Sequence, residues 1–172
     1  MTLLRPSTLA LILASTLLAS PAAAASDPAS VLAKFKEKDP GLEKVFAEAR
    51  GYALFQTVGK AGIGIGGARG KGDVFEGGVL IGKTTLTQVT VGFQLGGQVY
   101  SEIILFKDKT ALDDFKRGNF ELNAQASAIA VTARASRDIA YNRGVAILTM
   151  GKGGLMYEAS VGGQKFTYKP LK

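Results

Sequence analysis

Residues 88–106 read QVTVGFQLGGQVYSEIILF. Val89, Val91, Phe93 and Leu95 alternate with Gln88, Thr90, Gly92 and Gln94, the period-two pattern of a half-buried strand. Gly96-Gly97 then fits a two-residue hairpin turn, because type I′ and II′ turns need residues that tolerate positive φ. The chain is expected to return as a second strand over 98–106, with Phe93 opposite Tyr100. That reading sets the fold class as antiparallel β.

The same period extends in both directions. Residues 52–58, 61–66 and 74–81 read as strands before the hairpin, and 121–135 and 145–150 after it. A final hairpin is expected from 155–161 and 164–168 around Gly162-Gly163, placing Ala159 opposite Phe166 and Tyr157 opposite Tyr168. All 22 glycines fall at or after Gly41, in pairs and alternations that suit many tight turns. Residues 50–62 also resemble 143–154 with one deletion, as two related β units of a barrel or sandwich would; chance similarity among Gly-rich strands competes equally.

Helical grammar precedes the strands. Asp27-Pro28 reads as an N-cap with Pro at N1, followed by Val31, Leu32 and Phe35 on one face. Asp39-Pro40 restarts the pattern with Leu42, Val45, Phe46 and Ala49, and Gly51 is expected to end it as a C′ glycine. One short helix interrupts the strands, capped by Thr110 with Asp113, presenting Leu112 and Phe115, and stopped by Gly118. The expected architecture is α+β: a Gly-rich antiparallel β-barrel or sandwich over 51–172, with a helical segment over 28–50.

Residues 1–25 carry the pattern of a secretory signal peptide. Arg5 supplies positive charge, the ten residues LALILASTLL run over 9–18, and Ala23 and Ala25 occupy small-residue positions before Ser26. The run is far below the ~20 residues needed to span a bilayer. The expected mature chain is a single domain, 26–172, in the periplasm or outside the cell.

The 172 residues include 21 Lys or Arg and 14 Asp or Glu, for a net charge of +7, with no His, Cys or Trp. Without imidazole or thiol, neither Ser-His-Asp nor Cys-His nucleophilic catalysis is available. The usual zinc ligands are missing too. Composition therefore favours a binding or structural domain, with no metal or cofactor expected.

Two motifs lack their context. Gly77 to Thr84 (GGVLIGKT) matches a phosphate-binding loop, which must open a helix, yet alternating β-branched residues follow it. Gly62, Gly64 and Gly67 match G-x-G-x-x-G but precede another glycine cluster. Glu102 and Glu158 stand mid-strand among apolar residues; the expectation is that both point outward, with a general acid as the alternative. Lys60, Arg69, Lys71 and Lys83 fall in Gly-rich stretches read as turns, where backbone and charge approach an anion closely. Lys34, Lys36, Lys38 and Lys44 decorate the helical segment, offset in part by Glu37, Glu43 and Glu48. That segment either packs on the sheet or lies in a membrane interface as an amphipathic helix. Nucleic acid is not an expected partner, since neither a basic helix nor a stacking platform is present.

Five blocks together resemble the SYLF domain, a lipid-binding module. They are ARGYALF (49–55), KAGIGIGG (60–67) trailed by RGKG (69–72), VGFQLGGQ (91–98), IILFKDKTAL (103–112) and GGLMYEASVGG (153–163). The resemblance implies a non-catalytic domain that binds acidic phospholipids, largely through basic residues of an N-terminal amphipathic helix. It assigns that role to Lys34, Lys36, Lys38 and Lys44, with Lys152 standing where many relatives carry arginine. With Lys60, Arg69 and Lys71 these form the candidate lipid-binding set. For an exported bacterial protein the expected target is phosphatidylglycerol or cardiolipin. The alternative is a periplasmic structural or protein-interaction domain.

Overall fold

The computed structural model describes residues 27–63, 65–91, 97–118, 120–122, 128–152 and 161–172. The signal-peptide reading, Phe93, Glu158 and the 155–160 arm of the final hairpin lie outside the described residues.

One sheet organises the molecule. Its strands are β1 (Gly51–Ile63), β2 (Ile65–Glu76), β3 (Val79–Val91), β4 (Gly97–Phe106), β5 (Phe120–Glu121), β6 (Ile129–Ala130), β7 (Val145–Gly151) and β8 (Lys165–Pro170). The spatial order is β5-β8-β3-β2-β1-β4-β7-β6, antiparallel throughout except for the β6–β7 pair. The β-rich character read from the sequence is present, but the sheet curls into a half-barrel rather than a closed barrel or two-sheet sandwich.

Several local expectations are corrected. β3 and β4 do not form a hairpin: β3 ends at Val91 opposite Ile65, and β4 begins at Gly97 opposite Ala61. The β1–β2 hairpin lies between them, because its long arms can satisfy both neighbours along their length. Tyr100 therefore faces Val58 and Gly151. The strand expected over 74–81 is broken by Gly77 and Gly78, whose positive φ values of 57° and 81° make the β2–β3 turn. This also disposes of the phosphate-binding loop, since Gly82 and Lys83 are strand residues of β3. Among the described residues of 121–135 stand the last residue of β5, the short β6 and the start of a 3-10 helix at Ala135–Arg137.

The sequence repeat has no structural counterpart. β1 and β7 flank β4, but Phe106 pairs with Gly51 on one side and Val145 on the other, one residue away from the sequence alignment. A one-residue offset sends each aligned side chain to the opposite face.

Among the described residues three α-helices join the sheet: α1 (Pro28–Lys38), α2 (Leu42–Glu48) and α3 (Lys109–Lys116). Asp27 occupies the N-cap position of α1 with Pro28 next to it, although its side chain makes no capping bond. Asp39 does not cap α2, whose N-cap is Gly41; its carboxylate instead accepts from Gly41 N and from Ser136 N at 2.6 Å. The Ser136 backbone bond, chiefly, holds the Asp39 carboxyl below its usual range. α3 is capped by Asp108, which accepts from Ala111 N, rather than by Thr110, and Gly118 (φ 81°) ends it. Gly51 opens β1 instead of ending α2.

The sheet has two differently dressed faces. Ala53, Phe55, Leu86, Ile104, Phe106 and Phe166 pack beneath Leu112 and Phe115 of α3. On the opposite face Leu54, Ile103, Leu105 and Leu148 pack against Val31 and Phe35 of α1 and Leu42 of α2. α1 and α2 cover only the end of the sheet near Gly51. Toward the β1–β2 turn the second face is open, with Thr57, Gly59, Arg69, Lys71 and Thr87 exposed.

Two glycines of β1 distinguish the ends. A Cβ on Gly51 would stand 2.4 Å from the Phe75 carbonyl oxygen, whereas one on Gly59 would meet open space. Gly51→Ala is expected to lose about 1–3 kcal/mol through overpacking. Gly59→Ala is expected to be neutral or to gain up to ~1 kcal/mol by restricting the unfolded chain. Urea unfolding of the two variants checks the contrast.

Candidate functional site

The alternation of β1 and β2 assigns the cationic candidates to faces. Arg69 pairs with Gly59 and Lys71 with Thr57, so both project from the open face. Neither lies in a turn as expected; both are exposed mid-strand residues of β2. Lys152 follows β7 and donates from Nζ to Thr57 Oγ1 at 2.7 Å. Burial, and secondarily the charge of Lys34, lowers its pKa, so α1 brings a second ammonium toward the same spot. Among the described residues, no carboxylate pairs with Lys34, Arg69, Lys71 or Lys152.

The other candidates are not brought to this cluster. Lys36 pairs with Glu43 at 3.6 Å and Lys44 with Glu48 at 3.7 Å, which offsets their charge. Lys38 is exposed on the last turn of α1. Lys60 is a largely buried strand residue rather than a turn residue, and shares the α3 face with Val58 and Ala68. Its burial lowers its pKa. Lys83 is ion-paired to Asp73.

Beside the cations, a shallow depression of about 440 Å³ opens over the end of β1, β2 and β4. Gly59, Ala61, Gly67 and Gly97 leave it without large side chains, and Arg69 and Val99 line it. Three apolar residues flank the same end of the sheet: Ile65 (69% exposed), Val89 (75%) and Val99 (46%). Val89 inverts its expected orientation. In β3 it is Leu86 and Gln88 that turn inward, since Gly70 and Ala68 opposite them belong to the α3 face.

Glu102 is the second departure. It is fully buried on the α3 face, not outward, between Phe55 of β1 and Thr149 of β7. Gln164 Nε2 donates to Glu102 Oε2 at 3.1 Å and lies 3.5 Å from Tyr100 Oη. Burial pushes the Glu102 pKa up to about 8, with the Gln164 bond opposing only in part. Burial and the nearby Glu102 also raise the Tyr100 pKa. Glu102 is thus a neutral acid at pH 7 with no solvent access. Sequence reasoning missed Gln88, Thr149 and Gln164 because nothing local marks a strand or turn amide as inward; only the register does.

Fold and site together describe a β-rich half-barrel with one open, cation-bearing face and a sealed polar cluster on the other side. Residues 87–169 match the family described as Ysc84, Las17-binding protein actin regulator, whose domain is the SYLF domain. The chain is 27% identical over 149 residues to Beta cell expansion factor A of Aeromonas veronii, also a SYLF-family member. That alignment takes in 80% of this chain and 52% of the relative, so the chain spans about half the length of the curated protein it matches. The resemblance to the SYLF domain read from the sequence is borne out by both matches. That likeness fits a lipid-binding or actin-related domain and points away from catalysis.

A fixed sign of pH dependence follows from Glu102. Its folded pKa lies above the unfolded value of 4.5, so folded protein holds the extra proton between pH 4.5 and 8. Its contribution to stability is complete below pH 4.5 and is lost as pH rises through 8. Glu102→Gln, neutral at every pH, is expected to become progressively more stable relative to the unsubstituted protein between pH 5 and 9. The gain is on the order of several kcal/mol. Urea titrations at pH 5, 7 and 9 measure the difference.

Proposed function

We propose that this domain associates with anionic phospholipid surfaces through the open face of its sheet. The observation that carries the reading is the gathering of Arg69, Lys71, Lys152 and Lys34, none ion-paired among the described residues, beside exposed Ile65, Val89 and Val99. Cations near an anionic leaflet contribute about 1 kcal/mol each. Apolar side chains at the rim can enter the headgroup region. Four such cations supply about 4 kcal/mol, a dissociation constant of about 1 mM by themselves, which the apolar rim tightens and which weakens as salt rises.

The weight shifts from the helices toward the strands. The apolar residues Val31 and Phe35 of α1 are buried within the fold, and Lys36 and Lys44 are offset by glutamates. α1 contributes chiefly Lys34 in this reading. The signal-peptide pattern of residues 1–25 supports export, which makes phosphatidylglycerol or cardiolipin the target. Among the described residues no helix is long and apolar enough to cross a membrane, and peripheral association requires none.

Co-sedimentation of residues 26–172 with vesicles tests the proposal. Binding is expected to vesicles containing phosphatidylglycerol or cardiolipin, not to neutral ones, and to fall as salt rises. The Arg69→Ala, Lys71→Ala, Lys152→Ala triple variant is expected to lose about 100-fold in affinity. A Lys36→Ala, Lys44→Ala pair should change little. Failure to sediment with anionic vesicles at low salt overturns the reading and favours a protein-interaction domain.

A further inference from the structure

The turn at residues 161–164 is fastened to the α3 face of the sheet by a compact set of polar contacts. Gln88 Nε2 of β3 donates to the Gly162 carbonyl at 2.9 Å. Gln164 Nε2 donates to Glu102 Oε2 of β4 at 3.1 Å. Leu122 N donates to the Gln164 carbonyl at 2.9 Å, and Gly163 N to the Leu122 carbonyl at 3.1 Å. The turn also seats Val161, fully buried in the core that holds Leu86, Tyr100 and Phe166.

The cluster under this turn suits a neutral carboxyl and no other charge state. Glu102 Oε1, Thr149 Oγ1 and Gln164 Oε1 are buried acceptors with no donor among the described residues. A carboxylate there would hold one amide bond where a buried anion needs two or three. The titratable groups facing it from the surrounding elements are few. Tyr100 stands two residues away on the same strand, and Lys60 of β1 lies further toward the open end. α3, β5 and β8 present Leu112, Phe115, Phe120, Phe166 and the phenol of Tyr168 to this core, Tyr168 Oη donating to the Ile81 carbonyl, while the charged side chains Lys109, Asp113, Lys116, Glu121 and Lys165 form ion pairs outside it. Among the described residues no cation is paired with Glu102.

The surrounding elements differ in how easily they can yield. β4 is hydrogen-bonded to β1 on one side and β7 on the other, so it cannot carry Glu102 to water without breaking two ladders. Among the described residues the 161–164 turn is held by the handful of bonds named above, so it can yield before the sheet does. We propose that Glu102, Gln164 and Gln88 form a proton-operated latch: while Glu102 is protonated the turn is closed on the sheet, and when Glu102 ionises the turn lifts and bares the apolar surface around Tyr100 and Phe166. Burial holds the Glu102 proton to about pH 8, which sets the range in which the latch opens. The inference does not depend on the lipid reading, because it concerns the opposite face of the sheet.

Hydrogen–deuterium exchange of residues 26–172 from pH 6 to 9.5, corrected for the intrinsic pH dependence of exchange, tests it. The amides of Leu122, Gly163 and Gln164 are expected to lose protection by about tenfold per pH unit as pH rises toward 8 and to level off above it, while amides of residues 53–58 in β1 stay far better protected than the turn at every pH. Glu102→Gln is expected to keep the turn protected across the range, since its amide is neutral and its carbonyl still accepts from Gln164. Gln164→Leu is expected to leave the turn amides exposed at pH 6 with β1 still protected. Three outcomes overturn the proposal: flat protection of the turn in the unsubstituted protein, the same loss in Glu102→Gln, or equal protection factors for the turn and β1 amides, which would mean that both exchange through global unfolding.

Discussion

The double pairing of β1 is the constraint on which the rest of the molecule depends. β1 runs against β2 along its whole length and against β4 along most of it, so its alternation is imposed on both neighbours. Every side chain opposite a β1 residue inherits its face. Phe55 and Val58 thereby commit Glu102 and Tyr100 to the α3 side, while Thr57 and Gly59 commit Lys71, Arg69 and Val99 to the open side. The register shift after Phe55 matters as much as the pairing, because it resets the alternation partway along the strand. The sealed polar cluster and the cationic face are two consequences of one register.

The two ends of the sheet serve different purposes because their faces are filled differently. Near Gly51 both sides are covered, by α1 and α2 on one and α3 on the other, and the strands there are apolar on both faces, as Leu54, Ile103 and Leu105 alternate with Ala53, Ile104 and Phe106. Toward the β1–β2 turn the α1 side has no cover, and glycines replace bulky residues at positions 59, 67 and 97. Removing side chains from a strand costs stability through backbone entropy. A surface that keeps Arg69 and Lys71 among such glycines lets a flat, charged ligand approach the backbone closely, which is the physical sense of the lipid-surface proposal.

Glu102 and the open face are coupled only through the strands that carry them. The carboxyl is kept neutral by exclusion of water, whereas the cations act by being exposed. A membrane surface can therefore be met by one side of the sheet while the other responds to protons. The match over residues 87–169 takes in Glu102, Lys152 and Gln164 but not Arg69 or Lys71, so the family relationship and the proposed binding face overlap only in part.

Period-two alternation and glycine content were enough to establish a β-rich chain, and the five motif blocks were enough to show its resemblance to the SYLF domain. These are local properties, readable because strand periodicity and turn chemistry act over a few residues. The partner of each strand was not local. Residues 88–106 carry a strong hairpin signal, yet β3 and β4 stand on opposite sides of the β1–β2 pair, since β3 pairs with β2 across the Gly77-Gly78 turn and β4 pairs with β1. For the same reason the alternation in β3 was legible but its direction was not: Val89 faces out and Gln88 faces in because β2 decides which side of β3 meets α3. Glu102 could be seen as a carboxylate among apolar residues, but whether it faced water depended on which side of β4 the tertiary fold would cover. Strand period is a property of the chain, whereas the face that becomes interior is a property of what packs against it, and only the folded sheet decides that.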